Sequence, residues 1–312
     1  MIITKRGYDA GNSVKANFAD AYIAPDPRQY FKVLGDLDYS IPEAAHSIFS
    51  QLADYLIVQK KRPITILDLG CSYGINAALL KYRVPFKHLR QRYRWLARSS
   101  LPPARLAYHD KHYFEGWPAR KDVKILGIDA SKAAIDYALG TGVLDGGIAA
   151  DLETGALDAR ALSLVAEADL VISTGCVGYV TGVTFEKLLA AFSNGGMPWV
   201  ASFVLRVFPY DDIAARLARK GLVTERFAGA TFIQRRFRDE SEYEQMLAAL
   251  HALGLDPAGK EAEGALHAEL FVSRPPDICA PRNLNELLTV SYGRPGAAWP
   301  RPAGGQAPAA AA

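Results

Sequence analysis

Short apolar runs rich in β-branched residues alternate along this chain with longer stretches whose apolar positions recur every three or four residues. The runs Ile64–Leu69, Val123–Ile128, Gly147–Ala150, Asp169–Ser173 and Trp199–Val207 have strand length and little polar alternation, as expected of parallel strands buried on both faces. The intervening helical patterns would cover those faces. Near the end, Leu266–Ser273 reads as another strand, with a weaker partner around Leu255–Glu261 after a helix over Glu242–Leu253. The pattern predicts a doubly wound α/β domain with a seven-stranded, mostly parallel sheet whose last two strands form an antiparallel hairpin.

Three segments fall outside the alternation. Residues 1–60, including a helix over Pro42–Val58, precede the first strand and would form an N-terminal helical cap on a main domain spanning 61–295. Residues 81–122 and 211–239 interrupt the main domain as cap segments, and connections of this kind on a rigid scaffold commonly carry specificity. From Gly296 to the end the chain is Ala-, Pro- and Gly-rich without periodicity, so 296–312 is expected to be a disordered tail.

Half of the 312 residues are apolar, ample for a substantial core. No apolar run has the length of a membrane span or a signal peptide, so the expectation is a soluble, cytoplasmic protein with no membrane partner. Cys71, Cys176 and Cys279 show neither metal-ligand nor disulfide spacing, and His88, His109 and His112 match no ligand pair, so no metal is expected. The net charge of +3 is unevenly spread: Lys81 to Lys124 holds 12 Lys/Arg against 3 Asp/Glu, leaving 24 against 30 elsewhere. That segment reads either as a solvated helix face or as a surface for an anionic partner.

Candidate chemistry concentrates at strand ends, where open parallel sheets bind ligands. The stretch ITILDLGCSYGINAALL (64–80) runs from strand through a glycine turn into a helix. Gly70 and Gly74 let the backbone approach a ligand, and N–H groups at the helix start suit a carboxylate. A nicotinamide site would need Gly-x-Gly-x-x-Gly, but Ser72 and Ile75 stand where its second and third glycines belong. The segment instead resembles the first motif of class I S-adenosylmethionine-dependent methyltransferases, Asp/Glu-x-Gly-x-Gly-x-Gly, through Asp68, Gly70 and Gly74, with Ser72 in the middle place.

That resemblance implies a Rossmann-like methyltransferase fold with S-adenosyl-L-methionine as cofactor. It implies that Asp68, Gly70, Cys71, Ser72 and Gly74 form the cofactor turn. Asp129, followed by Ala130 and the N-cap Ser131, would accept hydrogen bonds from both ribose hydroxyls. Asp68 and Asp129 lie 61 residues apart, a distance that segment 81–122 accounts for. Asp151 would bind the adenine amino group with Leu152 over the ring, and Ser173 and Thr174 would stand beside the transferred methyl. The resemblance covers about Ile64 to Val207 and identifies the superfamily, not one member.

Methyl transfer from a sulfonium is an in-line displacement in which the protein chiefly supplies placement, so a missing catalytic triad is no objection. Tyr179, Arg206 and Tyr210, on or after the fourth and fifth strand ends, are the candidates for contacting the acceptor. Arg206 would need a carboxylate, either the ligand's or an internal one. Gln234, Arg235 and Arg236 read as a solvated face or as a clamp for an acidic substrate, and Tyr22, Tyr30 and Tyr39 as a cover over the cofactor. The expected activity is methylation of oxygen or nitrogen on a small molecule. Two competitors are a nucleic-acid (RNA) methyltransferase using the basic segment, and a non-catalytic cofactor-binding subunit. In the basic segment Tyr82, Phe86, Tyr93 and Trp95 could stack on bases, but Phe86, Leu89, Tyr93 and Leu96 also mark one apolar helix face.

Overall fold

The computed structural model describes residues 11–14, 18–192, 196–279 and 281–290; the expected tail lies outside them. Among the described residues, a helical stretch at 11–14 and the helices α1 (Ala19–Ile23), α2 (Arg28–Gly35) and α3 (Ile41–Lys60) precede β1 (Ile64–Leu69). Then come α4 (Ile75–Tyr82), α5 (Phe86–Leu96), α6 (Pro103–Glu115), β2 (Val123–Asp129), α7 (Lys132–Gly140), β3 (Gly146–Ala149), α8 (Ala159–Val165) and β4 (Leu170–Thr174). The chain continues through α9 (Gly182–Leu189), β5 (Trp199–Leu205), α10 (Asp211–Arg219), β6 (Val223–Arg226), β7 (Phe232–Arg236), α11 (Glu240–Ala252) and β8 (Ala265–Arg274).

The strands form one sheet in the order β3-β2-β1-β4-β5-β8-β6, with β7 also paired to β8. β3, β2, β1, β4 and β5 are mutually parallel, while β8 runs antiparallel to β5, β6 and β7. Strand order reverses between β1 and β4, which is the switch point where a ligand crevice opens in such sheets. Alternation along β1 sends Ile64 and Ile66 into the core on one face and Leu67 and Leu69 into the core on the other. Helix α3 packs on β1, β4, β7 and α4, which seats the N-terminal helices directly over the sheet.

Two expectations are corrected. No strand forms at Leu255–Glu261. The partners of β8 are β6 and β7, both within 211–239, which is therefore part of the sheet rather than an inserted cap, and the sheet has eight strands among the described residues instead of seven. The periodicity was misleading because β6 is four residues long with no buried position, too short to show alternation. No helix among the described residues is long and apolar enough to cross a membrane.

Candidate functional site

A cleft of about 380 Å³ opens at the carboxyl ends of β1, β2 and β4. Its floor is the turn after β1. Gly70 takes φ +71°, and a Cβ there would stand 2.6 Å from the Cβ of Cys176, so only glycine lets the two loops close on each other. Gly74 takes φ +74° against Val143. Ser72, in the place where the resembled motif has glycine, adopts φ +49°, a conformation that costs a side-chain-bearing residue about 1–2 kcal/mol.

Asp129, half-buried at the end of β2, holds that turn in shape. Its Oδ2 accepts the Ser72 backbone N–H at 2.8 Å, and its Oδ1 accepts that of Ser131 at 2.8 Å. Burial raises the carboxyl's pKa, opposed by those two N–H bonds. A carboxylate offers about four lone-pair sites, so roughly two remain for a ligand. Ser131 also caps α7, its Oγ accepting the Ala134 N–H at 3.2 Å. Beneath the floor, Asn76 donates to Asp68 Oδ1 at 3.2 Å and to Thr174 Oγ1 at 3.1 Å, tying β1 to β4. Asp68 is fully buried, its Oδ2 has no partner among the described residues, and burial pushes its pKa up to about 7. The buried Ser72 Oγ is likewise unpartnered.

Gly70, Cys71, Ser72, Asp129, Ala130, Ser131, Thr174 and Tyr179 all line this cleft, together with Tyr22 and Tyr30 from the N-terminal helices and Tyr39 from the link between α2 and α3. Tyr179 is half-exposed, and burial raises the pKa of its phenol and those of the three cap tyrosines. At neutral pH these phenols are therefore protonated hydroxyls rather than phenolates.

Other expected site residues sit elsewhere. Asp151 turns its carboxylate into its own loop, accepting the Glu153 N–H at 2.9 Å and the Thr154 hydroxyl at 2.8 Å, and is absent from the cleft wall. Leu152 is buried in the core on the opposite face of the sheet from α3. Ser173 is buried and donates to Ser202 Oγ at 3.0 Å; Tyr210, also buried, donates to the same oxygen at 3.2 Å and stacks on Phe271. Both belong to an internal hydroxyl chain, because alternation along β4 turns Ser173 away when it turns Thr174 toward the cleft. Arg206 is paired with the buried Glu261 and donates to the Asp256 carbonyl, so an internal acid is its counter-charge, while its Nε has no partner among the described residues. Arg235 is neither a clamp nor a solvated group: it makes a bidentate, fully buried pair with Glu242 at 2.6 and 2.9 Å. Arg236 pairs with Asp38 of the cap.

Gln234 gains a role that its sequence neighbourhood obscured. The register of β7 on β8 slips between Ile233 and Arg235, a bulge at Gln234, and bulges re-aim side chains. Ser40 donates its backbone N–H to the Gln234 carbonyl at 2.8 Å and its hydroxyl to the Ile233 carbonyl at 3.2 Å, fastening the cap to that bulge. The buried carboxamide lies beside cleft-lining Gly175 and near the Tyr39 hydroxyl, and its Oε1 has no partner among the described residues. No sequence signal marks a bulge inside an ordinary Phe-Ile-Gln-Arg-Arg run.

No protein-family model and no curated protein matches the chain. Solved structures similar to it include the plantazolicin methyltransferase BpumL in complex with a pentazolic desmethylPZN analog and SAH, at 14% identity over 88% of this chain and 100% of that one, TM-score 0.43. Magnesium protoporphyrin IX methyltransferase (ChlM) from Synechocystis PCC 6803 with bound SAM is 12% identical over 87% of this chain and 92% of that one, TM-score 0.34. A TehB-like SAM-dependent methyltransferase from Corynebacterium glutamicum ATCC 13032 Kitasato is 18% identical over 71% and 86%, TM-score 0.33.

Proposed function

We propose that this chain is an S-adenosyl-L-methionine-dependent methyltransferase that methylates oxygen or nitrogen of a small molecule. The observation that carries the proposal is Asp129. It stands at the end of β2 with about two acceptor sites left after bonding Ser72 and Ser131, on the rim of a cleft floored by a Cβ-free turn. Two acceptor sites match the two vicinal hydroxyls of a ribose. Ser72, which lines the cleft, has a buried Oγ with no partner among the described residues, a further polar group at this site.

The cofactor would be held by Asp129, the Gly70–Ser72 turn, Ala130, Ser131 and Thr174, and it supplies an electrophilic methyl on a sulfonium. The protein's task is placement. Holding donor and acceptor atoms about 3–3.5 Å apart is worth roughly 7–11 kcal/mol of barrier. Tyr22, Tyr30 and Tyr39 exclude water from above, and protonated Tyr179 orients the acceptor by donating to it.

Incubating the protein with methyl-labelled cofactor and a low-molecular-mass extract, then reading products by mass spectrometry, should show label on a small product. The signal should disappear with Asp129→Ala. Absence of cofactor binding by the intact protein would overturn the proposal. Tyr179→Phe should lower turnover more than cofactor affinity, and unchanged turnover would return this tyrosine to packing.

A further inference from the structure

A second depression, about 490 Å³, lies outside the cleft between α2 and α5. The two depressions share α2: Tyr30 lines the cleft, whereas Phe31, Lys32 and Gly35 line the groove. Lys87, Arg90, Arg94 and Arg98 complete a cationic lining in which Asp36 is the one acid among the described residues. Arg90 is engaged, donating to Asp38 at 2.9 Å. Lys32, Lys87, Arg94 and Arg98 are exposed and have no acidic partner among the described residues.

The acids of the surrounding segment are already committed. Asp110 is fully buried and accepts hydrogen bonds from Arg92, Tyr93 and Tyr137, Asp122 is bonded by Arg120, and Glu115 faces His112. Lys81, Arg90, Arg92, Arg120 and Lys124 are ion-paired, so part of the segment's positive charge is compensated, whereas Lys87, Arg94 and Arg98 keep theirs on the groove. The groove stands on a firm base, because Phe31 stacks on Tyr93 at 4.4 Å between ring centres, locking α2 to α5.

At about 100° and 1.5 Å per residue, Lys87, Arg94 and, past the helix end, Arg98 fall on one face in a line roughly 16 Å long. Trp95, 72% exposed, lies about one further step round the same helix. Phe86 and Tyr93, the other aromatics of α5, are buried, so Trp95 is the ring of this helix left free to stack. We propose that this groove is a binding track for single-stranded nucleic acid, with phosphates along Lys32, Lys87, Arg94 and Arg98 and a base on Trp95. The linear cation row and the solvent-facing ring beside it favour this occupant; an acidic peptide would meet the charges and leave the ring unused. The track is independent of the methyl-transfer reading, since none of its residues lines the cleft.

The test is fluorescence anisotropy of a labelled oligouridylate with the full chain across a salt series. Four phosphate contacts predict a slope of log affinity on log salt near −2.8, at about −0.7 per contact for a single strand. The triple variant Lys87→Gln, Arg94→Gln, Arg98→Gln should bring the slope to about −0.7 and weaken binding at least roughly tenfold at about 0.1 M salt. Trp95→Ala should weaken binding severalfold at an unchanged slope. Both variants should bind S-adenosylmethionine as the wild type does, which separates failure here from failure of the cleft assignment. Absence of oligouridylate binding, a slope indifferent to the triple variant, or equal affinity for a polyglutamate peptide would overturn the proposal. The single variant Arg94→Glu repeats the test with least risk to folding.

Discussion

Replacing Asp129 tests the cofactor assignment most directly. Its two oxygens each accept one backbone N–H, leaving about two sites for ribose hydroxyls, and hydrogen bonds to an ionised acceptor are worth about 1.5–3 kcal/mol each. Asp129→Ala deletes both ligand bonds, so cofactor affinity should fall by about 3–6 kcal/mol, or roughly 10²- to 10⁴-fold. Asp129→Asn is not a mild change. Its amide nitrogen must face either the Ser72 or the Ser131 N–H, two donors, so one backbone bond and one ligand bond are lost together. A fall of about 2–4 kcal/mol, roughly 30- to 1,000-fold, is expected for it. Isothermal titration with S-adenosylmethionine and with S-adenosylhomocysteine gives both numbers. Thermal unfolding without ligand reports how much of the loss comes from loosening the Gly70–Ser72 turn. A folded Asp129→Ala protein with wild-type affinity for both ligands would refute the reasoning.

Three further outcomes follow from the geometry. Asp68 ionises near pH 4 when unfolded and near about 7 when folded, so between those values the folded chain holds one extra proton. By linkage, its contribution to stability falls as pH rises through that window and is flat above it, at up to about 1.4 kcal/mol per pH unit. Denaturant titrations of wild type against Asp68→Asn should show this difference, and parallel pH profiles would contradict it. Glu242→Ala strands the buried Arg235 guanidinium and should cost about 3–5 kcal/mol in chemical denaturation, whereas a loss below about 1 kcal/mol would mean that water reaches the arginine. Gly74→Ala places a Cβ 2.6 Å from Val143 Cγ2 at positive φ and should destabilise by about 1–3 kcal/mol; a neutral result in thermal melts would show that Val143 yields freely.

The residues legible in advance were those whose role is local. Ile64–Leu69 is apolar throughout and announces a strand buried on both faces, and the Gly70–Gly74 turn announces a close approach of backbone, because these properties reside in consecutive side chains. The alternation of β1 to β5 with helices determined the doubly wound core and placed Gly70 and Asp129 on one rim. Which way a side chain points beyond a strand end is set by neighbours distant in sequence, and there tertiary structure alone decided. Asp151 closed its own turn, Ser173 and Tyr210 joined through Ser202, and Arg206 found Glu261, 55 residues away. The bulge that brings Gln234 beside Gly175 depends on the registry of β7 against β8, and the pairing of Arg235 with Glu242 depends on where α11 lands. Local sequence encodes backbone preference and burial, whereas a polar group's partner is chosen by the desolvation cost it would otherwise bear inside the assembled fold, and that cost exists only once distant segments have met.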